Sequence, residues 1–215
     1  MMRINVSSVW KKVTTLAVKV AGQWTPVTTG WVKVAGVWKK MYPLNPALFL
    51  NGVGGLIAGN CFHYETISRL QFVVATGDQL VYDMYLGANT VSGGLDAAYE
   101  DGTGTKYLRS AALVDQNNKG VHPGGSIAEA QGKWYTRVFN LDILAGATVT
   151  LWAMVHEDDA GGWHELYIRN ARILRADGSL KMEIFINTLN VPEMATFQGT
   201  SNGYGQVSKS IQPGP

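Results

Sequence analysis

ATVTLWAMVHEDDAGGWHELYIRNARIL, residues 147–174, alternates apolar and polar side chains twice over. In Ala147–Val155, Ala147, Val149, Leu151, Ala153 and Val155 fall on one side, and Thr148, Thr150, Trp152 and Met154 on the other. In Trp163–Leu174, Leu166 and Ile168 turn one way, and Trp163, Glu165, Tyr167 and Arg169 the other. The acidic, glycine-bearing stretch between them has the composition of a turn. Two period-2 runs joined by such a turn predict two strands, each with one face buried and one face wet.

The same cadence extends on both sides. Leu70–Thr76, Gln79–Leu86, Leu95–Tyr99, Tyr107–Val114, Lys133–Leu141 and Lys181–Asn187 are short apolar runs separated by Gly, Asp and Asn clusters. With the first two they give eight predicted strands, the pattern of an antiparallel β-sandwich. Only Ser126–Ala130 and Val191–Ala195 read as helical. In Gln79–Leu86, Leu80, Tyr82, Met84 and Leu86 share one face, leaving Val81, Asp83 and Tyr85 on the other. The 25 glycines and 16% charged residues agree with glycine-punctuated β structure, while 46% apolar residues are enough for a core.

Toward the N-terminus the chain repeats itself. INVSSVWKKV (4–13), VKVAGQWTPV (18–27) and VKVAGVWKKM (32–41) place Trp10, Trp24 and Trp38 at intervals of 14 residues. Each block reads as a β-hairpin turning at Ala-Gly. With a three-residue loop at residues 20–22, Val18 would oppose Trp24, Val32 would oppose Trp38, Ile4 would oppose Trp10, and Lys19 and Lys33 would point away. The three hairpins are expected to join in one small sheet whose Val/Trp face needs a cover. Residues 1–45 hold seven basic and no acidic residues, a net +7. The other 170 hold eleven basic and all sixteen acidic residues, a net −5. The near-neutral total of +2 is therefore two segments of opposite sign.

Several classes are excluded. One cysteine, Cys61, allows neither an intrachain disulfide nor a cysteine-based zinc site. No run of 18 apolar residues offers membrane insertion, and the N-terminal stretch lacks a secretory pattern, so assembly in a cytoplasm is expected. His63, His122, His156 and His164 form no metal-spaced pair. Only one arginine accompanies the N-terminal lysines, and no nucleic-acid-binding motif is present, which argues against a nucleic-acid role. No nucleophile elbow or phosphate loop occurs. The cluster Glu157, Asp158 and Asp159, with Glu165, is the one place where a glycosidase carboxylate pair could be sought.

Two resemblances follow from these motifs. The tandem VKVxGxWK blocks over residues 4–41 resemble the particle-proximal parts of bacteriophage tail and fibre proteins and of gene-transfer particles, where such blocks form an attachment module. Residues 77–178 resemble the galactose-binding-like jelly rolls used as carbohydrate-binding modules. The likeness rests on Gly77–Asp83, on Gly132-Lys133-Trp134-Tyr135 leading to the Leu141–Gly146 turn, and on Leu166–Ile173. That family often carries an acidic residue that helps hold a structural calcium where this chain has Arg169. The Asp101-Gly102 and Asp115–Asn118 loops are then the places where a structural Ca2+ could sit.

The expected architecture is all-β: an N-terminal β-hairpin repeat module at 1–42, a linker/entry segment at 43–61 in which the glycine-rich residues 47–61 form an entry strand or a packed connector, a β-sandwich of jelly-roll type at 62–190, and a polar Gly/Ser-rich tail at 191–215. Asp83, Tyr85, Trp152, Trp163, Glu165, Tyr167 and Arg169 are the candidate carbohydrate-binding residues, because aromatic faces stack on sugar C–H surfaces while charged groups bond their hydroxyls. Trp10, Trp24, Trp38, Lys19 and Lys33 are the candidate attachment or oligomerisation residues. The expected function is non-enzymatic: a virion receptor-binding or fibre protein whose partners are bacterial surface polysaccharide, other virion proteins and sister chains in a trimer or dimer. The alternatives are a structural virion protein whose sandwich contacts other subunits, and a polysaccharide depolymerase.

Overall fold

The computed structural model describes residues 3–6, 9–12, 17–20, 23–26, 31–34, 37–40, 46–54, 62–87, 90, 92–121, 131–157, 162–184, 199–202, 205–213 and 215, with backbone alone at 3–46, 54, 62–65, 68, 156–157, 162 and 199–213. The two short pieces expected to be helical lie outside these residues, and no α-helix occurs among them. None of the described elements is a helix long and apolar enough to cross a membrane.

Six short strands come first: β1 (Arg3–Val6), β2 (Val9–Lys12), β3 (Ala17–Val20), β4 (Gln23–Pro26), β5 (Trp31–Val34) and β6 (Val37–Lys40). They pair as three separate two-stranded sheets, not as the single sheet expected. Their register also corrects the sequence reading. Val20 pairs with Gln23 and Val34 with Val37, so two residues connect the strands instead of three. Trp24 consequently pairs with Lys19, Trp38 with Lys33, and Trp10 with Asn5.

The rest of the chain forms β7 (Pro46–Gly54), β8 (Phe62–Ser68), β9 (Phe72–Val73), β10 (Gln79–Leu86), β11 (Gly93–Glu100), β12 (Thr105–Tyr107), β13 (Trp134–Asn140), β14 (Thr148–Glu157), β15 (Gly162–Leu174), β16 (Leu180–Glu183), β17 (Gly199–Asn202) and β18 (Gly205–Pro213). One sheet runs β13-β10-β15-β7-β18 and the other β12-β11-β14-β8-β17, with β16 beside β15 and β9 beside β14. Let β7, β8, β10, β11, β12, β13, β14 and β15 be strands one to eight. The sheets then read 1-8-3-6 and 2-7-4-5, the double Greek key of a jelly roll. The first of these strands, β7, lies in the glycine-rich stretch read as an entry strand or a packed connector. β17 and β18, expected to be a polar tail, extend both sheets. The paired strands run from Pro46 to Pro213, beyond 62–190 at both ends.

The core lies between the sheets. Leu48, Leu50, Leu80, Met84, Leu86, Leu166 and Ile168 from one sheet meet Leu95, Tyr99, Val149, Trp152 and Met154 from the other. Trp152 is fully buried and stacks on Phe72 at 6.2 Å. The sequence reading placed it outward. Between Ala98 and Tyr99 the β11–β14 register shifts, so that Leu151 and Val149 face consecutive residues and Thr150 is the extra one. This bulge reverses the phase of β14, sending Trp152 and Met154 inward and Leu151 outward.

A second departure lies at Tyr107–Val114, expected to be a strand. Its centre is a 3-10 turn at Leu108–Ser110. The buried Asp96 carboxylate on β11 receives the Arg109 backbone N–H at 3.0 Å and also its guanidinium, and so pulls the chain out of extended geometry. Burial pushes the Asp96 carboxyl above its ordinary range, with Arg109 opposing.

Within the sandwich, Arg137 is buried on the inner face of β13. Its Nε donates to Asp115 Oδ2 at 2.9 Å, and an Nη to the carbonyls of Gly120 (2.9 Å) and Lys119 (3.2 Å). Trp152→Ala should lower unfolding free energy by about 3–5 kcal/mol, the cost of a large cavity. Arg137→Met should cost about 3–5 kcal/mol by leaving Asp115 buried without its cation. Urea denaturation of the full chain checks both.

Candidate functional site

The outer face of the β13-β10-β15-β7 sheet is set by three register pairs. Tyr85 on β10 pairs with Trp134 on β13 and with Tyr167 on β15, and Tyr167 pairs with Phe49 on β7. One level of the sheet therefore carries four aromatic side chains across four strands, since facing residues of neighbouring strands project to the same side. Ring centroids are 5.6 Å apart for Tyr85–Trp134, 5.7 Å for Tyr85–Tyr167 and 4.6 Å for Phe49–Tyr167. All four are half-buried, with open edges toward solvent.

The next level along the strands is polar. Asp83 pairs with Thr136 and Arg169. Its carboxylate accepts Thr136 Oγ1 at 2.7 Å, Asn170 Nδ2 at 2.6 Å and, more distantly, Arg169 Nε at 3.4 Å. Asn170 reaches Asp83 because it is a bulge residue. Its φ is 55°, and the β10–β15 register shifts there. Asparagine tolerates that left-handed backbone better than most residues, and the bulge re-aims its amide along the face. The Arg169 guanidinium lies 3.7 Å from the Trp134 ring centroid, so the two side chains meet above the intervening strand β10. Trp134 Nε1 donates to the Pro215 carbonyl at 2.9 Å.

On the other side of the aromatic level, Glu165 pairs with Asn51 and Trp163 with Val53. Trp163 is 48% exposed, the most open tryptophan among the described residues with side chains. Here β10 has ended, and Thr90 continues the pairing: its hydroxyl donates to the Glu165 carbonyl at 2.9 Å and accepts the Glu165 N–H at 2.5 Å. Gly87 makes the approach possible, since a Cβ there would lie 2.6 Å from Glu165 Cβ.

Of the seven candidate sugar-contacting residues, the fold brings Asp83, Tyr85, Glu165, Tyr167 and Arg169 onto one face, with Trp163 further along the same strand. Trp152 is removed from the set: it is core of the opposite sheet. Trp134 and Phe49 join the row and were absent from the sequence reading. Trp134 was legible only as part of the Gly132–Tyr135 motif, and Phe49 lay in a stretch not assigned as a strand. The side chains of Trp10, Trp24, Trp38, Lys19 and Lys33 lie outside those described, as do those of Glu157, Asp158 and Asp159.

The two loops considered for calcium do not fit that ion. Asp115 is ion-paired with Arg137 and also accepts the N–H groups of Asn117 and Lys119, each at 2.9 Å. Asp101 accepts Lys106 Nζ at 2.5 Å and both the N–H and hydroxyl of Thr103. Each carboxylate already faces a side-chain cation, and no cluster of three ligating side chains occurs among the described residues.

No protein-family profile and no curated protein sequence matches the chain. Two solved structures are similar in part. One, described as "PbXyn10C CBM APO", shares 11% identity over 78% of this chain and 90% of its own, with a TM-score of 0.33. The other is a crystal structure of domains CD (residues 230–489) of its parent protein, 15% identical over 81% of this chain and 88% of its own, with a TM-score of 0.29.

Electrostatics offers a test of the face. Burial, then the Glu165 carboxylate and Tyr85, raise the Tyr167 phenol above its ordinary 10.0. The folded chain thus holds this proton more tightly than the unfolded chain, and stability from it is lost as pH rises through the ordinary phenol range. In an alkaline NMR titration Tyr167 should ionise late, and Glu165→Gln should bring its midpoint down. An unchanged midpoint would show that the Glu165 carboxylate does not act on the Tyr167 phenol.

Proposed function

We propose that the chain is a non-enzymatic receptor-binding or fibre protein of a phage-like particle, and that the outer face of the β13-β10-β15-β7 sheet binds a host surface polysaccharide. The observation that carries the carbohydrate reading is the aromatic row Trp134–Tyr85–Tyr167–Phe49 flanked by Asp83, Arg169 and Glu165. A sugar chain presents alternating C–H surfaces and hydroxyls. Ring edges and faces cover the first, and carboxylate and guanidinium groups bond the second. The row crosses the strands at steps of about 5 Å. That step suits an extended chain lying across the sheet.

The particle assignment is supported by the sequence: a tandem Trp-bearing repeat of charge +7, then a sandwich segment of charge −5. In this reading the basic repeat attaches the chain to other virion proteins and to sister chains, with the virion as its location. A specific observation also favours the structural alternative. The Trp134 end of the row already receives a backbone carbonyl, as it would in contact with a protein.

A panel of bacterial surface polysaccharides separates these readings. The full chain should bind at least one. Tyr85→Ala and Tyr167→Ala should each weaken binding by about tenfold, near 1.4 kcal/mol. Trp152→Ala should act on stability instead. Absence of binding across the panel, or full retention of it in the Tyr85→Ala/Tyr167→Ala double variant, would remove the polysaccharide reading. Release of new reducing ends from a bound polysaccharide would replace it with the depolymerase. Lys19→Glu/Lys33→Glu should reduce incorporation into particles without reducing polysaccharide binding, as measured by co-sedimentation.

A further inference from the structure

Three charged side chains flank the aromatic row, and they are engaged very differently. Asp83 is occupied on both oxygens: Oδ1 accepts the Thr136 hydroxyl, and Oδ2 accepts Asn170 Nδ2 and, more distantly, Arg169 Nε. Arg169 sets its charge against Asp83 and one side of its guanidinium against the Trp134 ring. These two form a compensated pair. Glu165 is held by its backbone instead. The Gly87 N–H donates to its carbonyl at 2.8 Å, the Thr90 hydroxyl bonds the same peptide groups, and Asn51 pairs with it from the other side. Its half-buried carboxylate accepts no hydrogen bond and is in no ion pair among the described residues. Gly87 keeps the space open, because a Cβ there would lie 2.7 Å from Glu165 Oε2. After burial, the charge of Glu165 is the largest cause of the raised Tyr167 phenol, so the carboxylate acts directly on the row. The other described charges near this face do not offset it. Arg172 faces Glu183 on β16, and Lys133 lies over Tyr135, on the opposite phase of β13 from Trp134. Among the described residues the face therefore carries one uncompensated negative charge, placed beside Tyr167.

We propose that Glu165 is the specificity-determining residue of this face, and that it selects a neutral polysaccharide with free neighbouring hydroxyls over polymers bearing uronate, sulfate or phosphate groups. This inference rests on the polysaccharide reading above. A carboxylate has acceptors only, so it takes hydroxyl protons and offers nothing to an anion. Hydrogen bonds to an ionised acceptor are the stronger kind. Two adjacent hydroxyls of one sugar ring reach the two carboxylate oxygens while the ring lies against Tyr167. An anionic polymer on the same row sets like charge against Glu165, and the nearest guanidinium, Arg169, is already paired with Asp83. Selectivity then comes from that repulsion as well as from the hydroxyl bonds.

The test uses uronate-bearing bacterial polysaccharides and the same polymers after chemical reduction of their carboxyl groups to primary alcohols, which removes charge and keeps the backbone. Affinity electrophoresis of the full chain at low salt should show the reduced form bound about tenfold more tightly than the native form. Added salt should shrink that ratio, because exposed charges are screened. Glu165→Gln keeps the size of the side chain. It should bring the ratio to about threefold or less and weaken binding of the reduced form several-fold. Asp101→Asn removes a carboxylate from the turn between β11 and β12 of the other sheet and should leave the ratio as it was. The same narrowing in Asp101→Asn would assign the effect to overall charge and overturn the proposal. Equal affinity of the unaltered chain for both forms, or an unchanged ratio in Glu165→Gln, would also overturn it. Should Glu165→Gln fail to fold, the ratio for the unaltered chain and its salt dependence decide. If neither form of any polymer binds, the polysaccharide reading fails and this selectivity with it. If polymers bind without regard to charge, that reading stands and the selectivity alone is refuted.

Discussion

The antiparallel pairing of β15 with both β10 and β7 is the constraint on which the molecule depends. β15 is the thirteen-residue final strand of the jelly roll, inserted between its first and third strands. Its inner positions Leu166, Ile168, Ala171 and Ile173 close the core, and its outer positions Tyr167 and Arg169 stand at the centre of the candidate face. The Asn170 bulge lets one strand serve both purposes. After it the inward phase passes from even to odd positions, so Ala171 and Ile173 remain buried while Asn170 turns along the face to Asp83. A slip of β15 by one residue would exchange the two faces and dissolve core and aromatic row together.

Phase within each strand was legible in the sequence. Alternation correctly put Leu80, Tyr82, Met84 and Leu86 inside, with Asp83, Tyr85, Glu165, Tyr167 and Arg169 outside. Two things were not legible. A bulge is one extra residue whose signature is local, and Thr150 is chemically ordinary, so nothing in ATVTLWAMV announced that the phase reverses before Trp152. Register between strands distant in sequence is set by packing of the whole sandwich. No local pattern could place Phe49, Tyr85, Trp134 and Tyr167 at one level. The jelly-roll expectation itself survives in the strand order, and its first strand lies in residues 47–61, where high glycine content left an entry strand and a packed connector equally open.

The acidic loops show a related limit. Asp and Asn in a short loop look like cation ligands, and the Asp115 loop does hold a cation, but it is the guanidinium of Arg137, which comes from β13. A buried guanidinium–carboxylate pair is costly to desolvate, so it adds little stability compared with an apolar pair of similar volume. Its geometry does something an apolar pair cannot. The two carbonyls and one carboxylate it engages belong to residues 115–120, so it fixes the path of that loop against the inner face of β13. Lys106 performs the same office for Asp101 at the surface, where exposure makes it weaker.

The form of the candidate face bears on how the proposed binding would work. Pockets that take small ligands enclose most of the ligand surface. A row of half-buried rings on an open sheet contacts only one side of a sugar chain. On the proposed polysaccharide reading, affinity at one such face is low. Such a site is effective only when many faces engage one polymer at once, because linked sites gain effective concentration without new contacts. In the proposed function, a basic repeat that anchors copies side by side would be the counterpart such a weak face requires. On this reading the +7 segment and the −5 sandwich are two halves of one binding device.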